Sequence, residues 1–467
     1  MENFLKSRLL LLWLLVLGFC LAWAELGLLA GIVPRSVLDD LFGGATRWWS
    51  LPVPVHAVAL VVLGGILFLT AHRLAAGTSF PQGRWGRILA VAVALLGLFL
   101  CLNQFAELEN LVSQVTDFGT IYRGSSALFA GDDPYTVTDN AYFYPPLLAF
   151  LFGPLTLLPP AGASTLFFSL KFIMLVWALL ACDRLVEGSL FSGGRRTLFV
   201  FGLIFVAARF WVTDLQFGNT NVVIMFLMIA AIVLDRDDRP LAAGLALALA
   251  VSIKIVPVVL GLHFLILGRW RTLMFFAAAL AVINLLPWIL LQGHWGDAWG
   301  AYFDAGVTGK LNQRLIQPDN QSLWGVTNRM FPAVPLNTLR WVWAGAAALL
   351  GAGTGLVSFR SRDREPLVQV AAVSLYPLLG LLVSPGSWVV HYTAVLLPMA
   401  MLWKLALSGM WSVRWAWLLF LITNVAFTVS GWARPTVKAS ITQSWFVAAA
   451  FLLMVGIGSW ASSYRRD

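Results

Sequence analysis

Apolar residues in this chain come in long, nearly unbroken runs, and polar residues are confined to the gaps between them. Runs of this length without a polar stripe predict helices that meet lipid rather than the surface of a water-soluble core. On a window of about 20 residues the runs number about fourteen. They lie near 9–31, 54–72, 88–108, 161–183, 198–214, 219–234, 240–254, 256–268, 272–291, 338–358, 366–384, 391–409, 414–430 and 442–460. The runs 240–254 and 256–268 are short for a full span, and they meet at Lys254-Ile255-Val256-Pro257, which predicts a broken or kinked pair. Two gaps are long, 109–160 and 292–337.

Composition turns this pattern into a class. Of the 467 residues 60% are hydrophobic and only 11% charged, which excludes a soluble fold and predicts an all-α polytopic membrane protein. The 22 Trp suit interfacial belts at both faces of a bilayer. Cys20, Cys101 and Cys182 lie in or beside apolar runs without metal-like spacing, so they read as structural thiols. With the N-terminus on the cytoplasmic side, the alternating short loops collect 19 of the 31 Lys and Arg. The two long gaps then face outward, as the positive-inside rule requires. The net charge of +9 is accordingly a topology signal, and with no basic patch interleaved with exposed aromatics, nucleic acid is not a partner. Lys6-Ser7-Arg8 and Ala22-Trp23-Ala24 resemble a signal peptide, but the apolar run continues to Val33, so an uncleaved first helix is expected. Without repeats or linkers, residues 1–467 read as one integral domain with an outer catalytic loop at 109–160.

That outer loop holds the candidate chemistry. Asp117 follows the third run, and a carboxylate at a bilayer boundary is costly enough to mark a functional site. Beyond it Tyr122, Ala127, Leu128 and Phe129 recur at helical spacing up to Gly131, a natural C-cap. Asp132-Asp133-Pro134-Tyr135 reads as a turn. The apolar stretch from Pro145 to Leu158 is too short to span and predicts an interfacial helix. On the same side fall Arg209, Asp214, Gln216 and Asn219, then Lys254, then His294, Lys310, Arg314, Asn320 and Gln321, then Ser384 to Trp388 and His391. Lys171 and His72 read as structural. A carboxylate that deprotonates a hydroxyl, facing cations that hold an anionic leaving group, is the pattern needed to transfer a sugar from a lipid phosphate. Asp117 is the candidate base, with Lys254, Arg209, His391 and Arg314 as the phosphate cradle. Tyr122, Asp133, Tyr144, Gln216, Asn219 and Asn320 are candidate substrate contacts. Adjacent Asp132 and Asp133 do not make an Asp-x-Asp pair, so neither a metal nor another cofactor is expected. No Gly-rich phosphate loop, His-Glu-x-x-His helix or Ser-centred elbow is present. A transporter or flippase for a lipid-linked saccharide would be expected to show matched internal halves, which are missing here. An O-antigen polymerase or ligase is the other alternative, and the order of the Asp-bearing loop argues against it.

The residues resemble glycosyltransferase family 87, within the GT-C superfamily. The likeness rests on Asp117-Phe118-x-x-x-Tyr122, Gly131-Asp132-Asp133-Pro134-Tyr135 and Tyr144-Pro145-Pro146-Leu147 with Pro154-Leu155. It continues through Gln216-Phe217-Gly218-Asn219, Arg239-Pro240-Leu241-Ala242-Ala243-Gly244, Lys254-x-x-Pro257, Asn320-Gln321-Ser322-Leu323 and Ser384-Pro385 to His391. The resemblance implies a GT-C fold with interfacial helices in the first outer loop. It implies inverting, metal-independent transfer from polyprenyl-phosphate mannose or a related sugar to a glycolipid or glycan acceptor, with Asp117 as general base. With the distribution of basic residues, the site is expected on the outer face of a bacterial inner membrane. Two spans precede the one leading into the Asp loop, a departure from the family's usual pattern.

Overall fold

The computed structural model describes residues 116–138, 142, 144–186, 210–211, 214–215, 217–291, 293–304, 320–408 and 445–463. Every regular element among them is helical. The apolar runs at 9–31, 54–72, 88–108 and 414–430, and nearly all of 198–214, lie outside the described residues.

Helix α1 (Asp117–Ala130) begins where the Thr116 hydroxyl accepts the Gly119 N–H at 3.1 Å. It ends at Gly131, whose φ of 87° only glycine adopts without strain, as the sequence predicts. Asp117 thus occupies the first helical turn, where unpaired N–H groups favour a carboxylate. Asp133 caps the one-turn α2 (Pro134–Val137), its Oδ1 accepting the Tyr135 N–H at 2.9 Å. The Tyr135 hydroxyl donates to the Tyr144 carbonyl at 2.8 Å, and the Tyr142 hydroxyl to the Pro145 carbonyl at 3.1 Å. These tyrosines lead the chain into α3 (Pro146–Phe152), continued as a 3-10 turn over Gly153–Leu157. The apolar stretch expected over 145–158 is therefore a helix of two characters. Leu147, Leu148 and Ala149 pack inward, while Leu157 is 87% exposed.

The long helices follow in order. They are α4 (Pro160–Leu185), α5 (Asn221–Arg236), α6 (Pro240–Ile253), α7 (Val259–Ile266), α8 (Trp270–Leu291) and α9 (Gly293–Ala301). Then come α10 (Leu323–Met330), α11 (Leu336–Ser361), α12 (Pro366–Val383), α13 (Leu396–Ser408) and α14 (Trp445–Ser463). Successive partners pack side by side: α4 on α5, α5 on α6, α6 on α8, α11 on α12 and α12 on α14. Gly244 permits the close approach of α6 to α8, since a Cβ there would lie 2.6 Å from the Phe276 nitrogen. Among the described residues, four helices are long and apolar enough to cross a membrane: Gly162–Leu185, Trp270–Leu290, Leu336–Ser361 and Pro366–Val383. Large apolar side chains on α8 and α11, among them Ile289, Trp341 and Leu349, stand exposed, whereas α12 is mostly buried. This is the surface of a multi-pass membrane protein, with the greasy side chains turned toward lipid.

Three helix reversals gather basic residues at one end. Arg184 forks onto Asp237 at 2.7 and 3.0 Å, and Arg236 donates to the Leu185 carbonyl at 3.1 Å. Arg269 pairs with Asp235 at 3.3 Å, and the guanidinium of Arg362 lies beside Gly268. From that end α5, with 16 residues, rises about 24 Å and α6, with 14, about 21 Å. Their neighbours α4, with 26 residues, and α8, with 22, rise about 39 and 33 Å. The hydrocarbon core is about 30 Å thick. The far ends of α5 and α6, at Asn221 and Lys254, therefore make a floor below the ends of these longer helices.

Candidate active site

The break expected at Lys254–Pro257 is present. Lys254 leaves α6 in extended conformation, and Val256–Val258 forms a 3-10 turn before α7. This ends a helix inside the bundle and frees a lysine to reach sideways. Its Nζ donates to Asn221 Oδ1 at 2.7 Å and to Asn219 Oδ1 at 3.3 Å, and lies 3.1 Å from His391 Nε2. The Tyr144 ring covers it, with its centroid 5.5 Å away.

Asn219 is brought to the floor by a reversal ahead of α5. Gly218 turns the chain at a φ of 64°, and a Cβ there would lie 2.4 Å from the Phe118 Cβ. Only glycine lets this reversal close against α1. Asn219 Nδ2 then donates to Asp117 Oδ2 at 2.8 Å. One amide joins the two halves of the site, giving its N–H to the carboxylate and its oxygen to the lysine.

His391 lies on a 3-10 turn, Val389–Val395, that precedes α13. Its Nδ1 is 3.2 Å from the Trp388 nitrogen, and the indole of Trp388 packs edge-on to its ring. The segment carrying it is braced through Asn320, whose Nδ2 donates to the Pro385 carbonyl at 2.8 Å. Asn320 Oδ1 accepts the Ser387 N–H at 3.0 Å, and the Tyr392 hydroxyl donates to the Gln321 carbonyl at 2.8 Å.

Asp117, Lys254 and His391 are each half-buried, whereas Asn219, Asn221, Asp214 and Lys171 behind them are buried. These three side chains thus keep some exposure and the groups behind them do not. Burial lifts the Asp117 carboxyl above the usual carboxylate range, although the Asn219 hydrogen bond and the Lys254 charge pull the other way. A carboxylate with raised proton affinity is a stronger base.

Of the sequence-predicted residues, the structure brings together Asp117, Tyr144, Asn219, Lys254 and His391. Tyr122, Asp133 and Asn320 use their polar atoms within the protein, Tyr122 by donating to the Leu158 carbonyl at 2.9 Å. Arg209, Gln216 and Arg314 lie outside the described residues. One member of this group escaped the sequence reading: Asn221, whose signal was an amide two residues after Asn219 at the head of an apolar run. Lys171, expected to be structural, stands behind the group in a buried ion pair with Asp214. Among the described residues, no three His, Cys, Asp or Glu side chains gather as metal ligands.

A sequence model described as glycosyltransferase family 87 matches residues 142–385, more than half of the 467-residue chain. The chain is 28% identical over 340 residues to a polyprenol-phosphate-mannose-dependent alpha-(1-2)-phosphatidylinositol mannoside mannosyltransferase of Mycobacterium tuberculosis, covering 68% of this chain and 76% of that one. It is 28% identical over 329 residues to a phosphatidylinositol pentamannoside mannosyltransferase of Mycolicibacterium smegmatis with the same donor dependence, covering 67% and 74%. A third similar protein, a pentamannoside mannosyltransferase of Mycobacterium tuberculosis, is 26% identical over 391 residues, covering 79% and 83%. Asp117 precedes the stretch matched by the family model, whereas Asn219, Lys254 and the Asn320 brace lie within it.

Proposed function

The chain belongs to glycosyltransferase family 87 and is a membrane glycosyltransferase, and on that footing we propose that it moves mannose from polyprenyl-phosphate mannose to a glycolipid hydroxyl. The observation that carries this reading is the Asp117–Asn219–Lys254–His391 chain of contacts. One amide separates a base from a cation, as a displacement at the anomeric carbon requires. The acceptor hydroxyl gives its proton to Asp117 as its oxygen bonds to the anomeric carbon. The bond from that carbon to the phosphate oxygen breaks, and polyprenyl phosphate departs carrying the extra negative charge. Lys254 and His391 are placed to receive that charge. A single displacement inverts the anomeric centre.

Asn219 holds one carboxylate oxygen of Asp117, and the Tyr144 hydroxyl also hydrogen-bonds this carboxylate. Short α5 and α6 beside the longer α4 and α8 suit a donor whose lipid tail stays in the bilayer while its head group reaches the site. The basic helix reversals at the opposite end suit the cytoplasmic face, so the site opens toward the exterior of a bacterial inner membrane. The relatives act on phosphatidylinositol mannosides, which makes this acceptor class the first to test. Purified Asp117→Asn in liposomes should bind polyprenyl-phosphate mannose but yield neither product nor released polyprenyl phosphate. Transfer at near wild-type rate would remove Asp117 as base.

A further inference from the structure

A full ion pair lies behind the site, at the level of its floor. Lys171, midway along α4, is 1% exposed, and its Nζ lies 2.5 Å from Asp214 Oδ1, itself fully buried. The remaining bonds of both residues go to the reversal that presents Asn219. Lys171 donates to the Asp214 carbonyl at 3.0 Å and to the Asn219 carbonyl at 2.6 Å. Asp214 Oδ2 accepts the Asn221 N–H at 3.0 Å, and its backbone carbonyl accepts the Asn219 N–H at 3.0 Å. The Phe167 ring, 5.2 Å from Lys171 Nζ, stacks on Phe118 next to Asp117.

We propose that Lys171 and Asp214 are positioning residues for the base, fixing the Asp214–Asn221 reversal so that Asn219 meets Asp117. The inference rests on Asp117 being the base. A buried ion pair is weak as a source of stability, because desolvation offsets most of its attraction. A charge in the middle of an apolar helix is equally expensive. Both costs are understandable where the pair sets geometry. The ammonium of Lys171 reaches the two carbonyls and the carboxylate together, and they fix both ends of the reversal. The pair also brings two opposite charges near Asp117. The charged and titratable groups facing that carboxylate are Lys254, Tyr144, Asp214 and Lys171, with His391 beyond Lys254. The fields of Lys171 and Asp214 on it oppose one another.

The test is the pH–rate profile of full-length variants in liposomes, with polyprenyl-phosphate mannose and the acceptor used for Asp117→Asn. Lys171→Met leaves the Asp214 charge alone, so the acid limb of kcat should move to higher pH. Asp214→Asn leaves the lysine alone and should move it to lower pH. The double variant Lys171→Met/Asp214→Asn should return the limb toward wild type. Its kcat should fall about tenfold or more, because the reversal loses its charged anchors. KM for the donor should stay within about twofold of wild type throughout. Lost yield with wild-type kcat in the enzyme that accumulates would mark a role in folding alone. Unmoved limbs in both single variants, or a double variant with wild-type kcat, would overturn the proposal. Should a single variant fail to accumulate, the double variant, which buries no unpaired charge, decides by its kcat. An inactive Asp117→Asn beside unmoved limbs refutes only the pair's role, and an active one refutes the base itself.

Discussion

Lys254→Met tests the cationic half of the site. The substitution keeps the length and apolar stem of the side chain but removes the ammonium that now bonds Asn221 at 2.7 Å and faces His391 at 3.1 Å. Two separate losses follow. The proposed donor is a phosphodiester with one negative charge, so its binding loses one hydrogen bond between charged groups. Such a bond contributes about 1.5–3 kcal/mol, roughly 10- to 160-fold in donor affinity. As the sugar leaves, the phosphate gains a second charge, and that increment exists only in the transition state. Removing one donor aimed at developing charge costs about 100- to 1,000-fold in kcat. Titrating the donor under single-turnover conditions separates the two, because binding and the chemical step are then read independently. The structure ties Asn219 to Asp117 independently of the lysine, at 2.8 Å, so base geometry should survive and the loss should be assignable to charge. Unchanged donor affinity together with an unchanged single-turnover rate would refute the assignment of Lys254 to the phosphate.

Other outcomes follow from the same geometry. On the proposed role Asp117 works ionised, and burial raises its pKa, so wild-type kcat should be retained above that raised value. It should fall as pH drops through it, beginning above the usual carboxylate range. A pH–rate profile whose acid limb sits at an ordinary aspartate value would contradict this. Asn219→Asp replaces the donor on Asp117 with a like charge and should push that limb higher still, measured by the same profile. Gly218→Ala meets both a φ of 64° and Phe118, and the backbone strain alone costs about 1–2 kcal/mol. A lower melting temperature with reduced kcat is expected, and wild-type values for both would show that the reversal is not held tightly against α1. Dialysis against a chelator should leave transfer intact; loss of activity restored by one divalent ion would reverse the expectation of metal independence.

Much of the fold was legible because lipid leaves a coarse signature. The helices at 160–185, 221–236, 240–253, 270–291, 336–361 and 366–383 fall within a few residues of the apolar runs that predicted them. The Gly131 cap and the break at Lys254 were equally readable, since glycine and proline act through local backbone sterics. Asp117, Lys254 and His391 could be nominated because charged or titratable groups beside apolar runs are rare. Their mutual contact could not, for Asp117 and Asn219 are 102 residues apart and Lys254 and His391 are 137 apart. Sequence also misjudged the partners of polar groups. Asp133 and Asn320 looked available for substrate, yet a carboxylate before Pro134 caps a helix, and the Asn320 amide braces the turn bearing His391.

Lys171 is the sharper lesson, because hydropathy treats it as one tolerated charge in a long apolar run. What distinguishes a tolerated lysine from a functional one is where its protons go. A lysine that only had to be accommodated would snorkel its ammonium to the nearest interface. Lys171 instead places its ammonium among a carboxylate and two carbonyls of one reversal, 1% exposed and about 21 Å along α4 from the basic end. That is the height at which α5 and α6 stop. The short helices, the break at Lys254 and the buried pair therefore solve one problem together. A polar site has to sit below the membrane surface, where a lipid-borne phosphate can reach it. Each backbone group exposed by ending a helix there must then find a partner inside the protein.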